Sequence, residues 1–199
     1  MLPAVFPAHR GLDVCRRVPA VARADGLSAL DIGTLFFLGL VAAALSTFVK
    51  LGLGIPGHNI LRVVFPMALG LALVPRRGSA TIMGLGGTLG AVAFPALGGS
   101  HIGLGAATGL TLLGLLLDVA LLGARSGWSI YVRLAAAGLA ANMVAFAVKL
   151  AEHAATGGTA LWLPRAAVTY PLLGILAGLI SAAVWFRATA DARPGSRRE

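Results

Sequence analysis

The amino-acid sequence predicts an all-α integral membrane protein, a bundle of six transmembrane helices with both chain ends in the cytoplasm. Of its 199 residues, 58% are hydrophobic and only 12% are charged. Soluble domains carry about 25% charged residues, so a water-exposed fold of this length would lack the charges to cover its surface. The hydrophobic residues also gather in six runs that are separated by short polar or Pro/Gly-rich breaks.

The six runs place the predicted helices and divide the chain into three parts. Backbone groups have no water to bond in lipid, so each run is expected to be helical. Residues 1–29 are predicted to be a cytosolic tail, residues 30–187 the membrane domain, and residues 188–199 a second cytosolic tail. The runs cover residues 30–48, 60–74, 80–97, 102–122, 130–150 and 166–186.

The second run is too short to cross a bilayer by itself. At about 1.5 Å per residue, residues 60–74 fall short of a hydrocarbon core ~30 Å thick. The preceding segment 54–59, with the sequence GIPGHN, is therefore expected to form a re-entrant or tightly packed entry to this helix.

The basic residues predict the orientation. With six crossings, twelve of the 16 Lys and Arg residues fall on the side of the two chain ends, and four fall on the other side. The positive-inside rule places the twelve in the cytoplasm. Because the net charge of +9 is spread between hydrophobic runs, no nucleic-acid partner is expected. The four outer residues are Lys50, Arg62, Lys149 and Arg165.

Three of the four histidines, His58, His101 and His153, fall on the predicted outer side. Neutral imidazoles bind transition metals or form hydrogen bonds with a small ligand, although histidine is also an ordinary residue of polar loops. His58 has the clearest functional context, because it lies in a Pro-Gly turn before Asn59 and Arg62, at a helix N-terminus that attracts anions. His58 and His101 are the metal candidates, without any accompanying His/Cys ligand spacing.

Two polar residues fall inside predicted helices. Asp118 is a functional candidate because acids in a membrane are costly, but an ion pair with Arg125 or Arg133 explains it equally well. Asn142 either bonds across helices or lines the base of an outer pocket.

Small residues give the first helix two faces, Gly39 with Ala43 and Ala42 with Ser46. Such faces either pack inside the bundle or meet a separate subunit. Because the sequence has no catalytic or nucleotide-binding motif and Cys15 is its single cysteine, it predicts neither an enzyme nor a cofactor.

One protein family has a similar pattern of helix spacing and glycine positions. Residues 51–91 read LGLGIPGHNILRVVFPMALGLALVPRRGSATIMGLGGTLGA, and residues 115–122 read LLLDVALL before a basic loop. The pattern resembles the substrate-binding S components of energy-coupling factor (ECF) transporters, over about residues 30–187.

The resemblance implies a bacterial plasma-membrane subunit that captures a vitamin, a vitamin precursor or a metal ion from outside. Its partners would be a transmembrane coupling subunit and two cytosolic ATPases, and uptake would involve toppling of the subunit in the membrane. By position, the substrate cap would be Pro56, Gly57, His58 and Asn59, with Asn142 and His101 as pocket lining.

The resemblance is incomplete at two places. The family's Ala-xxx-Ala coupling face is replaced by the Gly39/Ala43 and Ala42/Ser46 pairs, and the chain lacks the N-terminal His of the cobalt and nickel branch. Two other functions remain open at this point. One is a non-catalytic anchor or assembly subunit of a larger membrane complex, and the other is a small channel or standalone carrier.

Overall fold

The computed structural model describes residues 27–49, 54–74, 76–99, 104–122, 127–157 and 161–191. These residues form six α-helices and a short 3-10 turn (Phe94–Leu97), and no strand occurs among them, which confirms the all-α prediction for this part of the chain. The helices are α1 (Ala29–Phe48), α2 (Asn59–Leu73), α3 (Ser79–Ala93), α4 (Leu104–Leu121), α5 (Gly127–Thr156) and α6 (Leu163–Asp191).

Four segments are long and apolar enough to span a membrane: Ala29–Phe48, Ser79–Leu97, Ser129–Thr156 and Leu163–Val184. The other two helices are apolar but shorter. With 15 residues, α2 is roughly 22 Å long, less than the ~30 Å of a hydrocarbon core. The structure thus gives four candidate spans, and the six-span count stays a prediction.

Large apolar side chains cover the outside of the bundle. Phe37, Val92 and Val132 are 63%, 72% and 66% exposed, and they lie on three different helices. Soluble monomers rarely expose large contiguous apolar patches. The outer surface is therefore suited to lipid, which together with the four candidate spans indicates a membrane protein.

The helices pack as a closed ring in the order α1, α3, α4, α5, α6, α2, and α2 also reaches α3 and α4. Helices that follow one another in the sequence run in opposite directions. The last turns of α1, α3 and α5 and the first turns of α2, α4 and α6 therefore lie together, at what we call the cavity end. The other end of the bundle, where α1 begins and α6 finishes, is called the tail end.

The small-residue face of α1 packs inside the bundle rather than facing outward. A Cβ atom at Gly39 would overlap the backbone carbonyl oxygen of Met83 on α3, and Ala42 and Ala43 are fully buried. Ser46 lies on the wall of the cavity described below. The chain's own α3 and cavity thus account for the position of these residues, and a partner interface at them stays a prediction.

Asp118 on α4 caps the first turn of α3 at the tail end. Its carboxylate accepts hydrogen bonds from the backbone N–H groups of Ala80 (3.2 Å) and Thr81 (2.7 Å) and from the Thr81 hydroxyl (2.6 Å). The N-cap residue of α3 is Gly78, which has no side chain to perform this role. Asp118 therefore has a structural explanation in place of the expected arginine pair.

The two arginines considered for that pair lie elsewhere. Arg133 donates instead to the carbonyl oxygen of Leu122 (2.6 Å), at the end of α4. Arg125 lies outside the described residues.

Candidate functional site

A cavity of about 390 Å³ lies at the cavity end, between the turn before α2, α2 itself, α4, α5 and the start of α6. This volume falls within the range of about 300–1,000 Å³ that is usual for small-molecule sites. The inner wall is apolar and closely packed. Its polar residues are Ser46, His58, Asn59, Asn142, Lys149, Glu152 and Tyr170.

The turn that leads into α2 lies against α5 and α6. Gly54 and Gly57 have φ angles of +60° and +82°, a region that favours glycine. A Cβ atom at Gly57 would lie 3.1 Å from Cγ of Tyr170 and 3.3 Å from Nδ2 of Asn142. The absence of a side chain at Gly57 therefore lets the turn sit directly on these two residues.

Both ring nitrogens of His58 make hydrogen bonds. Nδ1 lies 2.6 Å from the carbonyl oxygen of Ile55, and Nε2 lies 2.7 Å from Nη2 of Arg62. A carbonyl oxygen only accepts and a guanidinium only donates, so these partners assign a neutral imidazole that donates from Nδ1 and accepts at Nε2. Arg62 also donates to the carbonyl oxygen of Ser46 (3.4 Å). His58 and Arg62 thereby connect the turn, α2 and the end of α1.

Asn142 connects α5 with α6 beneath the turn. Its side chain is 4% exposed, and Nδ2 donates to the carbonyl oxygen of Tyr170 at 2.7 Å. Asn142 is also part of the cavity wall, and among the described residues nothing donates a hydrogen bond to its Oδ1. The structure thus combines both interpretations of Asn142, because it bonds across helices and also lines the pocket.

An aromatic cluster borders the cavity beside α5. The ring of Phe146 lies 5.1 Å from that of Tyr170 and 6.3 Å from that of Trp162, and the His153 ring lies 5.4 Å from Trp162. The ammonium group of Lys149 lies 5.2 Å from the Trp162 ring centroid, within cation–π range. This cluster therefore positions Lys149 at the cavity wall.

Most of the predicted substrate-binding residues come together here. Pro56, Gly57, His58, Asn59 and Asn142 all line the one cavity. Arg62 does not line it but supports His58 from behind. His101 lies outside the described residues. That these residues bind a substrate stays a prediction.

Sequence reasoning assigned Lys149 and Glu152 to the outer side without placing them in the pocket. A usable signal was present, since Asn142, Ala145, Lys149 and Glu152 are spaced by three and four residues and so share one face of α5. Tyr170 gave no such signal, because it faces the pocket only through the packing of α6 on α5.

The metal prediction gains nothing from this geometry. Within the described ranges, no three His, Cys, Asp or Glu side chains are grouped to hold a metal ion. His58 would have to give up its bond to Arg62 before Nε2 could bind a metal.

Comparison with known proteins adds no relative. No protein-family model, curated protein or solved structure matches the chain. The fold and the cavity by themselves define the class: an α-helical membrane protein with a partly open pocket, lined by both apolar and polar residues, near one end of its bundle.

Proposed function

We propose that this chain is the substrate-capture subunit of an ECF-type uptake transporter and takes up a small molecule without chemically changing it. The observation that carries the proposal is the cavity of about 390 Å³ beneath the turn that the sequence singled out as a cap. A channel would need a continuous polar path, whereas the inner wall here is built from buried residues. These are Val63, Leu110, Leu113 and Ala141.

In this proposal all six helices cross a bacterial plasma membrane, with both termini in the cytoplasm and the cavity end outside. The twelve-to-four distribution of basic residues supports this orientation. The alternating helix directions support a shared side for the two chain ends. Reporter fusions to each terminus test it, and we expect cytoplasmic signals from both. Signals from opposite faces of the membrane would contradict the proposed orientation.

Energy for uptake would come from partners, a transmembrane coupling subunit and two cytosolic ATPases, because the chain carries no nucleotide-binding motif. The docking face would use lipid-exposed residues, since Gly39, Ala42 and Ala43 already pack within the bundle.

Native mass spectrometry of the detergent-purified chain, expressed with its neighbouring genes, tests the function directly. We expect a retained small molecule and co-purification of two ATPases. Retention of protein partners alone, without ligand or ATPase, would overturn the proposal in favour of an anchor or assembly subunit.

A substitution tests the cap. His58→Ala is expected to weaken binding of the retained ligand about 10- to 100-fold, because it removes the hydrogen bonds to Ile55 and Arg62 that hold the turn over the cavity. Expression and topology should be unchanged. Equilibrium titration of purified protein measures the effect, with His9→Ala in the predicted cytosolic tail as the control. Equal affinities in the two variants would refute the role of His58.

A further inference from the structure

Two oppositely charged side chains line the cavity without pairing with each other. Lys149 and Glu152 are three residues apart on α5, close enough for their side chains to meet. Nevertheless, the one ion pair within 4 Å among the described residues joins Arg76 to Asp31 at the tail end. Glu152 therefore lines the cavity, and its carboxylate has no cationic partner within 4 Å among the described residues.

The surroundings favour an anionic group near Lys149. Its ammonium lies over the ring of Trp162 and makes no hydrogen bond to the described residues, so it keeps N–H donors for an anion. The first turn of α2 also faces the cavity through Asn59 and Ile60, and a helix N-terminus favours negative charge. The cavity thus presents an anion-attracting side together with a cation-attracting carboxylate.

The inner part of the cavity is suited to an apolar group. Leu110, Leu113 and Ala141 line this part and are at most 3% exposed. Here α4 packs closely on α5, since a Cβ atom at Gly105 would lie 2.7 Å from the carbonyl oxygen of Ala145. A ligand that is polar throughout would lose its hydration here without gaining hydrogen bonds. Its body must therefore be mainly apolar.

We infer that the cavity binds an amphipathic zwitterion, with its ammonium group at Glu152, its anionic group at Lys149 and its apolar body against Leu110, Leu113 and Ala141. This inference rests on the proposed function, since it names the chemical class of the captured substrate. A zwitterion satisfies both charges at once, whereas a simple amine or a simple acid leaves one of them unpaired in a partly desolvated site.

Matched ligand sets test the inference on the purified full-length chain. Each set keeps the apolar body and changes the charges: L-phenylalanine with 2-phenylethylamine and 3-phenylpropionate, L-leucine with 3-methylbutylamine and 4-methylpentanoate, and L-tryptophan with tryptamine and indole-3-propionate. In at least one set we expect the zwitterion to bind about tenfold more tightly than both analogues. If no amino acid binds more tightly than its amine and its acid, the inference is overturned.

Two variants assign the charges. Glu152→Gln should weaken binding of the preferred amino acid about tenfold and leave its acid analogue unaffected. Lys149→Gln should have a similar effect and spare the amine analogue. Equal losses for all three ligands in either variant would indicate a general structural role and overturn the assignment.

Failure of the zwitterion inference can be distinguished from failure of the proposed transport function. A retained natural ligand that carries only one sign of charge would overturn the zwitterion and leave the transport proposal standing. Failure to retain any ligand or ATPase would instead count against the transport proposal.

Discussion

Replacing Gly178 with leucine is expected to prevent recovery of a folded, monodisperse protein. A Cβ atom at this position of α6 would overlap the backbone carbonyl oxygen of Leu134 on α5 and lie 2.5 Å from Cα of Ala135. Both obstacles are backbone atoms, so no side-chain rotation relieves them and the two helices must separate. Gly138 and Gly174 are in mutual backbone contact along the same interface, so separating the helices would break this contact as well.

Separating two closely packed membrane helices removes the van der Waals contacts that hold them together. We expect the free energy of unfolding to fall by about 4–5 kcal/mol, which is at the upper end of the effects of single substitutions. Detergent-solubilised size-exclusion profiles and thermal unfolding measure it. Gly33→Leu on α1 is the matched control, because a Cβ atom there would meet nothing within 4 Å. If the two variants gave equal yield and unfolding temperature, the α5–α6 contact would not be essential.

The Gly174–Gly178 pair shows what pattern reasoning missed. Small residues four apart are visible in the sequence here, as they are on the face of α1, but nothing in the spacing indicates which pair packs most closely. Helix periodicity tells which residues share a face but not which neighbour covers that face. The sequence therefore left the α1 face between two explanations, and it gave no sign of the contact between Gly39 and Met83.

Helix positions were predicted more closely than helix ends. The first hydrophobic run, 30–48, corresponds to α1 (Ala29–Phe48), because the Ser28–Asp31 capping box starts the helix where hydropathy rises. In contrast, α5 and α6 extend several residues beyond their runs at both ends. Hydropathy falls at residues such as Glu152, but the helical hydrogen bonds continue through them.

Partners distant in the chain were beyond sequence reasoning. Asp118 accepts from Thr81, which lies 37 residues earlier, whereas the sequence left a functional role and an ion pair with a nearby arginine equally open. The cap was easier to predict, since Pro56, Gly57 and His58 precede a helix that is too short to cross a membrane alone. The sequence did not show that this turn packs back onto the bundle, which is the arrangement that leaves a cavity beneath it. Gly57 permits this packing because it has no side chain.

Gly57→Ala is expected to weaken ligand binding by about tenfold or more while the helix bundle stays folded. The new methyl group would lie 3.1 Å from the ring of Tyr170 and 3.3 Å from the amide of Asn142, tighter than ordinary van der Waals contact. The turn must then lift away from the cavity or push both residues aside. Either movement alters the wall that a ligand would touch.

Backbone strain also rises at Gly57, because a φ of +82° costs a residue with a side chain about 1–2 kcal/mol. Gly54→Ala separates strain from contact: Gly54 has a φ of +60°, but a Cβ atom there would meet nothing within 4 Å. Titration of the retained ligand into both variants should show the larger loss at Gly57, with similar unfolding temperatures. Equal losses would mean that backbone strain in the turn weakens binding, rather than the lost contact of the turn with Tyr170 and Asn142. Unchanged binding in both would remove the turn from the site altogether.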